Sequence, residues 1–429
     1  MCSIAYGNNV EKMLGTMSHR APDDSGVVGK LGMGRLAIID LKSPNLCPFT
    51  EENWTVVFNG EIFNYLEIRE VLERLGHKFK TKSDTEVLFR AYREWGAGCL
   101  DRFNGMFAFA ISDGKTLFLA RDLAGEKPLY YTENPFEFAS ENKALNFKGK
   151  EFPPAHYGIY DGKLTIKRWW NFKPREIEIE NAAEKLEELL ADAVKIRTRT
   201  DVPYGLYYSG GVDSSLISTF HDFKHKFTYR DGEYEEEFKR VFPKILWHLD
   251  APTNHFSVFA LWKLAEMASK KVKVILSGEG ADELFGGYIR YMPQELNHQA
   301  QQYFPSYKEM FRYEKDVNQQ GWDEFNGNMR ELLRMGDRMA SAFGLENRCP
   351  FLDRRVVEFA FSLKTTYKIR GFETKRILKE ILAKRNPQYK DIEKTGLFCN
   401  INQWIGSSDG FGKKDYLKYQ EEIWKGFQF

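Results

Sequence analysis

Gly205-Leu206-Tyr207-Tyr208 leads directly into Ser209-Gly210-Gly211-Val212-Asp213-Ser214-Ser215, and from this stretch the architecture of the longer half of the chain can be read. A short apolar strand runs into two glycines and then opens a helix. The glycines clear side chains away so that backbone N–H groups can wrap a phosphate, and the helix start adds a partial positive charge. Ser209, Ser214 and Ser215 add hydroxyl donors. The Gly-Lys-Ser/Thr ending of a Walker loop is missing. A second unit follows: an apolar strand over 272–276 enters Ser277-Gly278-Glu279-Gly280-Ala281-Asp282-Glu283-Leu284-Phe285-Gly286-Gly287-Tyr288. Such units in series imply a parallel sheet covered by helices, with both loops at strand carboxyl ends and able to face one crevice. Asp213 and Asp282 would then supply carboxylates for magnesium, which takes one or two of them with phosphate oxygens. Taken alone, either loop also reads as a plain turn, one with a serine cap and one before an acidic helix start.

Outward from these loops the pattern holds. Residues 182–198 form an amphipathic helix with Leu186, Leu189, Leu190 and Val194 on one face, and the chain beyond the second loop is mostly helical. The acidic run over 231–237 reads as a solvated turn and helix start. Residues 1 to about 170 differ: strands over 55–58, 106–111, 117–120 and 128–131 alternate with Gly, Asn and Asp turns. Two helices interrupt them, over 67–75 (Ile68, Val71, Leu72, Leu75) and 85–94 (Val87, Leu88, Tyr92). This is an α+β pattern with hairpins. The boundaries are a first domain at 2–170, a polar linker at 171–181 and a second domain at 182–429, since 429 residues are too many for one ordinary core.

Composition narrows the function. With 62 basic against 61 acidic residues the chain has no charge excess for a nucleic-acid or anionic-membrane partner. No run approaches the ~18 apolar residues of a membrane span, and the N-terminus lacks the basic and apolar regions of a signal peptide. The five cysteines are scattered and never form a CxxC pair, so neither a disulfide framework nor a zinc site is expected and a cytoplasmic setting fits. Cys47, Cys99, Cys349 and Cys399 read as buried small apolar residues.

Cys2 is different. Removal of Met1 by an aminopeptidase would leave a thiol and a free α-amine on one residue, a nucleophile carrying its own base; an α-amine titrates near ~8. Other polar groups of the first half cluster in short motifs: His19-Arg20-Ala21-Pro22-Asp23, Arg35 at the opening of an apolar strand, Asn59-Gly60-Glu61 at a strand end, and Ser83-Asp84-Thr85-Glu86. Each has a local reading, as a loop salt bridge, an edge-strand charge, a tight turn and a helix cap.

Together with Gly105-Met106-Phe107-Ala108-Phe109-Ala110 and the run from Arg121 to Tyr131, these motifs resemble the glutaminase domain of class II glutamine amidotransferases, which are N-terminal nucleophile hydrolases. The resemblance spans residues 2–145 and implies an αββα sandwich. It implies that the Cys2 thiolate attacks the glutamine amide, and that Asn59 and the Gly60 N–H form the oxyanion hole. Arg35 would grip the glutamine carboxylate through its forked guanidinium, and Glu61 and Asp84 would hold the ammonium. The family usually has glycine where Ala21 stands; a methyl group fits there only if φ is negative.

Ser209–Ser215 resembles the pyrophosphatase loop of ATP-pyrophosphatases, and the second loop closely resembles the asparagine synthetase motif. Arg348-Cys349-Pro350-Phe351-Leu352-Asp353, Glu373-Thr374-Lys375-Arg376 and Lys394-Thr395-Gly396-Leu397 continue the likeness. The resemblance implies an α/β adenine nucleotide α-hydrolase-like second domain and ATP contacts from Tyr208, Ser209, Gly210, Gly211, Asp213, Ser214, Ser215, Tyr229, Ser277, Gly278 and Lys375. It implies magnesium at Asp213 and Asp282, Glu279 relieving ammonia of a proton, and Lys375 against the adenylation transition state; the local reading of Lys375 is a solvated helix lysine. The implied reaction is glutamine-dependent asparagine synthesis. Glutamine yields ammonia, ATP converts aspartate to β-aspartyl-AMP and pyrophosphate, and ammonia displaces AMP, with small-molecule partners and a homodimer common among relatives. The chain departs from the family in the span of fewer than 70 residues between Ser209 and Ser277, in Ala251 where an acid is common, and in Tyr208 where a small aliphatic residue lies beside adenine. These departures leave three alternatives: another carboxylate acceptor such as a sugar acid or peptide side chain, a decayed glutamine- or nucleotide-binding protein, and a stand-alone glutaminase.

Overall fold

Side-chain alternation along twelve antiparallel strands builds the first half. In the computed structural model, which describes residues 1–429 except 45, 231, 292–316, 372, 392–396, 398, 408–412 and 428–429, these strands are β1 (Ser3–Tyr6), β2 (Asp24–Val28), β3 (Leu31–Arg35), β4 (Phe49–Glu51), β5 (Trp54–Ile62), β6 (Gly105–Ser112), β7 (Leu117–Arg121), β8 (Tyr130–Glu133), β9 (Phe136–Ala139), β10 (Lys150–Glu151), β11 (His156–Tyr160) and β12 (Leu164–Arg168). They form two six-stranded sheets, in the orders β10-β8-β9-β1-β3-β2 and β12-β11-β7-β6-β5-β4. Ile4, Leu31 and Met33 of the first sheet meet Val57, Ala108 and Leu119 of the second in a common core. On the outer face of the second sheet, Phe58, Phe107 and Phe109 pack against Ile68 and Leu72 of α2 (Tyr65–Arg74) and Val87 and Leu88 of α3 (Asp84–Trp95). Each phenylalanine so buried contributes roughly 2–3 kcal/mol. On the far side α1 (Val10–Thr16) lays Val10, Met13 and Leu14 on Ala5 and Ala139. The four layers are the expected αββα sandwich.

Two local readings fail. Asn59-Gly60-Glu61 is not a turn at a strand end: it lies inside β5, paired with Ala108, Phe107 and Met106 of β6. Nine residues of β5, nearly all buried, override the turn preference of Asn-Gly. Arg35 closes β3 instead of opening a strand; the residues after it run irregularly, and Arg35 Nη2 ties them down by donating to the Ile39 and Asp40 carbonyls at 3.0 and 2.7 Å. The helix cap holds: Ser83 Oγ accepts the Thr85 N–H at 3.1 Å.

The second half carries a four-stranded parallel sheet of β13 (Tyr204–Tyr207), β14 (Lys226–Phe227), β15 (Val274–Leu276) and β16 (Glu346–Arg348), ordered β14-β13-β15-β16. Leu206, Val274 and Leu276 face Leu186 and Leu190 of α4 (Ala182–Arg197) and Leu216 and Ile217 of α5 (Val212–Phe220). Ile275 turns to the opposite face, onto Phe238, Phe242 and Phe259. The chain steps from β13 outward to β14 and returns past β13 to β15. The carboxyl ends of β13 and β15 therefore flank the switch point where open α/β sheets bind ligands, and both glycine loops leave from there.

The two halves share their cores. Leu36, Ile38, Leu123 and Trp170 join the cluster of Leu190, Leu352 and Val356, and Met1 joins that of Ile275, Met335 and Leu345. Buried ion pairs cross between them: Arg20 to Asp337 at 2.8 Å, Lys143 to Asp250 at 2.9 Å, and Arg348 to Glu61 at 3.2 Å. Residues 171–181 carry no helix or strand, yet the Ile177 N–H donates to the Ser362 carbonyl at 3.0 Å and Glu176 accepts the Thr365 N–H at 3.0 Å. Among the described residues no helix is long and apolar enough to cross a membrane.

Candidate active site

Cys2 enters β1 half-buried, packed against the core between the two antiparallel sheets, with Sγ 4.0 Å from the Leu36 carbonyl. Its backbone is fixed by Arg20, whose Nε donates to the Cys2 carbonyl at 3.1 Å while Nη1 donates to Glu141 and Asp337, each at 2.8 Å. Ala21 has φ of −137°, so the methyl group in place of the family's glycine costs no strain. Enclosure pushes the Cys2 thiol above its ordinary value, so attack by the sulfur needs a base beside it. The Met1 ammonium, buried next to it, is held down to about 6 by burial, with Glu346 and the Cys2 thiol opposing that shift.

Asn59, on β5, faces the same inter-sheet space and is fully buried with neither Nδ2 nor Oδ1 partnered. An orphaned amide of this kind costs about 1–3 kcal/mol unless a ligand completes it. Gly60 beside it has φ of +150°, and an added Cβ would lie 2.0 Å from the Met106 carbonyl oxygen; only glycine lets the two strands approach there. Glu61 and Asp84 sit side by side. Burial and then Asp84 raise Glu61, and burial raises Asp84 to about 6 although the Ile62 N–H donates to it at 3.0 Å. Two crowded acids favour a cation placed between them. Arg35 spends Nη2 on its own loop.

The second site is a cavity of about 540 Å³ at the carboxyl ends of β13 and β15. Tyr208, Ser209, Gly211, Asp213, Ser214, Tyr229, Ser277, Gly278, Glu279, Asp282 and Lys375 all line it. Gly210 and Ser215 do not: Gly210 makes the turn with φ of +71°, and Ser215 is buried beneath the loop with its hydroxyl unpartnered. Ser214 Oγ accepts the Ser209 N–H at 3.1 Å, so the loop is braced before any ligand arrives. Phe227, Tyr229, Leu261 and Leu264 give the cavity an apolar side against which a base could lie. Leu397 also lines it, whereas Lys394, Thr395 and Gly396 fall outside the described residues.

Lys375 is not a solvated helix lysine. It precedes the helix Arg376–Arg385 in the left-handed conformation at φ of +52°, buried, with Nζ 2.6 Å from Asp282 and 2.6 and 2.8 Å from Asp213. Burial alone would lower its pKa; Asp213 and Asp282 outweigh that and hold the ammonium charged. Strain of this type persists where the surroundings over-determine it. The two carboxylates converge on one point at the cavity. A divalent cation with phosphate oxygens fits that donor set; among the described residues no third His, Cys, Asp or Glu joins them.

Glu279 projects from the second loop towards β16. Its Oε2 accepts from Asn347 Nδ2 at 3.0 Å and from Cys349 Sγ at 3.5 Å. Enclosure raises this carboxyl to about 7, with Cys349 and Asn347 pulling the other way. Cys349 is therefore more than a small apolar filler: its sulfur meets Glu279, Ser277 Oγ at 3.6 Å and Asn347 Nδ2. Cys47 is only half-buried, and its thiol donates to the Met33 carbonyl at 3.1 Å. The roles of Asn347 and of the Arg348–Glu61 pair escaped the sequence reading. The signal available was the alternation of polar residues in Glu346-Asn347-Arg348, a pattern that marks a strand with two polar faces but names neither partner.

A family model for the glutamine amidotransferase domain matches residues 1–170, and one for asparagine synthase matches 185–231 and 234–391. Asparagine synthetase (glutamine-hydrolyzing) 1 of Bacillus subtilis (strain 168) is 29% identical, covering 92% of this chain and 84% of its own length. Asparagine synthetase (glutamine-hydrolyzing) 1 of Arabidopsis thaliana is 31% identical over 86% of this chain and 69% of the relative. Asparagine synthetase (glutamine-hydrolyzing) 2 of Oryza sativa subsp. japonica is 30% identical over 96% and 75%. With both family models matched in order and relatives of one kind matched over more than two thirds of their length, the chain belongs to the glutamine-hydrolysing asparagine synthetase family.

Proposed function

We propose that this protein makes asparagine from aspartate, glutamine and ATP, in two sites that share one wall. The observation that carries the reading is strand β16. Arg348 reaches the glutaminase side, to Glu61, and Asn347 reaches the ATP side, to Glu279. A chain with unrelated sites has no reason to join them through three residues.

At the first site the Cys2 sulfur forms a C–S bond to the glutamine side-chain carbonyl. Asn59 Nδ2 and the Gly60 N–H stabilise the oxyanion, the C–N bond breaks, and ammonia leaves with a proton. Water then cleaves the thioester to glutamate. The proton carrier is the Cys2 α-amine, which removal of Met1 exposes; the raised thiol pKa supports this, since the sulfur cannot ionise unaided. Arg35 takes the substrate carboxylate, and Glu61 with Asp84 takes its ammonium.

At the second site an aspartate side-chain carboxylate oxygen attacks the α-phosphorus of ATP, forming a P–O bond as the bond to pyrophosphate breaks. The loop of Ser209, Gly210, Gly211 and Ser214 cradles phosphate, and Lys375 neutralises the charge that builds on it. Asp213 and Asp282 would hold the magnesium that accompanies the triphosphate, which supplies further positive charge there. Ammonia then attacks the acyl carbon, a C–N bond forms, AMP leaves, and Glu279 takes the surplus proton. A carboxyl near 7 suits that task at neutral pH. In bulk water ammonia would be protonated and lose its lone pair, so passage across the shared wall keeps it a nucleophile. No described feature of the cavity favours a sugar acid or a peptide side chain over aspartate. Incubating the full chain with glutamine, Mg-ATP and either aspartate or a panel of other carboxylic acids tests the acceptor: asparagine, AMP and pyrophosphate should form in equal amounts with aspartate. AMP release with another acid but not with aspartate would overturn it.

A further inference from the structure

We propose that Asn347 is a dual positioning residue of the amidation step: its Nδ2 aims the Glu279 carboxylate, and its Oδ1 receives an N–H of the arriving ammonia. The inference rests on the reading of Glu279 as proton acceptor given above.

Three observations meet at this residue. Asn347 is buried on the edge strand β16, and Nδ2 is committed to Glu279 Oε2 at 3.0 Å. The other end of the amide, Oδ1, is buried and has no partner among the described residues. A buried carbonyl left unpaired costs about as much as a hydrogen bond is worth, so it points to a donor that comes and goes. Finally, β16 is the partition itself. Glu346 lies beside the Met1 ammonium and Arg348 pairs with Glu61, while Asn347 and Cys349 reach Glu279 from the opposite side of the strand. On this proposal, ammonia released beside Cys2 passes this strand on its way to Glu279. Ammonia has three N–H donors and one lone pair. Giving one N–H to Asn347 Oδ1 and directing another at Glu279 leaves the lone pair for the acyl carbon.

The geometry around Glu279 is closed on its other sides. A Cβ added at Gly336, on the helix Met329–Ser341, would fall 2.7 Å from one Glu279 oxygen, so the carboxylate has little freedom to swing away. The ionisable groups facing it are Cys349 on the β16 side, Glu283 on the loop helix, Lys127 from the first half and Tyr207 at the end of β13. With Asn347 removed, Cys349 remains as a weaker donor to the same oxygen.

The test uses the full chain, aspartate and Mg-ATP between pH 6 and 9, with ammonium chloride adjusted so that free ammonia is the same at every pH, and with aspartate-dependent ATP–pyrophosphate exchange as a separate readout of adenylation. Asn347→Val should keep exchange within about twofold, raise KM for ammonia about tenfold, and move the acidic limb of asparagine formation alkaline by about one pH unit, because a carboxylate that loses a donor is harder to ionise. Cys349→Ala removes the weaker donor to Glu279 and leaves Asn347 Oδ1 in place: it should shift the limb less and leave KM for ammonia unchanged. Exchange intact with KM and limb both unmoved in Asn347→Val would overturn the inference, as would loss of exchange in that variant with Cys349→Ala behaving as the unaltered chain. Absence of exchange in the unaltered chain would instead refute the acceptor reading on which the inference rests.

Discussion

Asn59 stands fully buried with both ends of its amide unsatisfied among the described residues, two positions before the crowded acid Glu61. Folding alone does not call for such an arrangement; the oxyanion of the proposed glutamine hydrolysis does. Asn59→Ala should therefore cost about 10²–10³ in glutamine hydrolysis and leave asparagine formation from ammonia within about twofold, measured as glutamate release and asparagine yield on one preparation. Glu126 makes a second residue-scale prediction. Burial, and then Asp122, push its carboxyl up to about 8, and its Oε2 has no partner. The unfolded value is about 4.3. A raised folded pKa stabilises fully below the unfolded value and loses that contribution as pH rises through about 8. Glu126→Gln should thus raise Tm at pH 8, by roughly 1 °C for each kcal/mol recovered in a single transition of a chain this long, and make little difference near pH 4. Equal thermal curves at pH 8 would count against the assignment.

At the scale of elements, the β16 strand links the two sites with only three residues. Arg348 lies wholly buried on it, bonded to Glu346 at 2.9 Å, to the carbonyls of Arg197 and Arg199, and to Glu61. Arg348→Met leaves Glu61 and Glu346 buried without their cation and should lower stability by about 3–5 kcal/mol in urea unfolding, while glutamine affinity falls with it. The periodic elements were legible in advance. Apolar spacing located α2, α3 and α4, and two glycine loops after apolar strands announced the parallel sheet and its crevice. What stayed hidden had no local signature. Asn59-Gly60 reads as a turn until β6 is known to pair across it, because burial on both faces, not propensity, makes it a strand. Arg35 looked like the start of a strand because Leu36 and Ile38 are apolar; their burial is against the second half of the chain. Asn347 and Cys349 acquire meaning only from Glu279, 68 positions upstream of Asn347, a contact that no sequence period encodes.

For the whole molecule, the shared cores and crossing ion pairs tie the sandwich to the parallel sheet. Arg20 binds the Cys2 backbone with one nitrogen and Asp337 with the others, so the proposed nucleophile is tied to the opposite half of the chain. Calorimetry should accordingly give a single unfolding transition, and Asp337→Ala should depress glutamine hydrolysis although it lies outside the sandwich. Two separated transitions would contradict so close a union. In the proposed function one end of the protein liberates ammonia and the other consumes it behind a common wall. The most direct measurement compares glutamine and ammonium chloride as nitrogen sources for asparagine formation by Cys2→Ala and by the unaltered chain. Cys2→Ala should lose synthesis from glutamine and keep synthesis from ammonia at the unaltered rate. Loss of both, or retention of both, would contradict it.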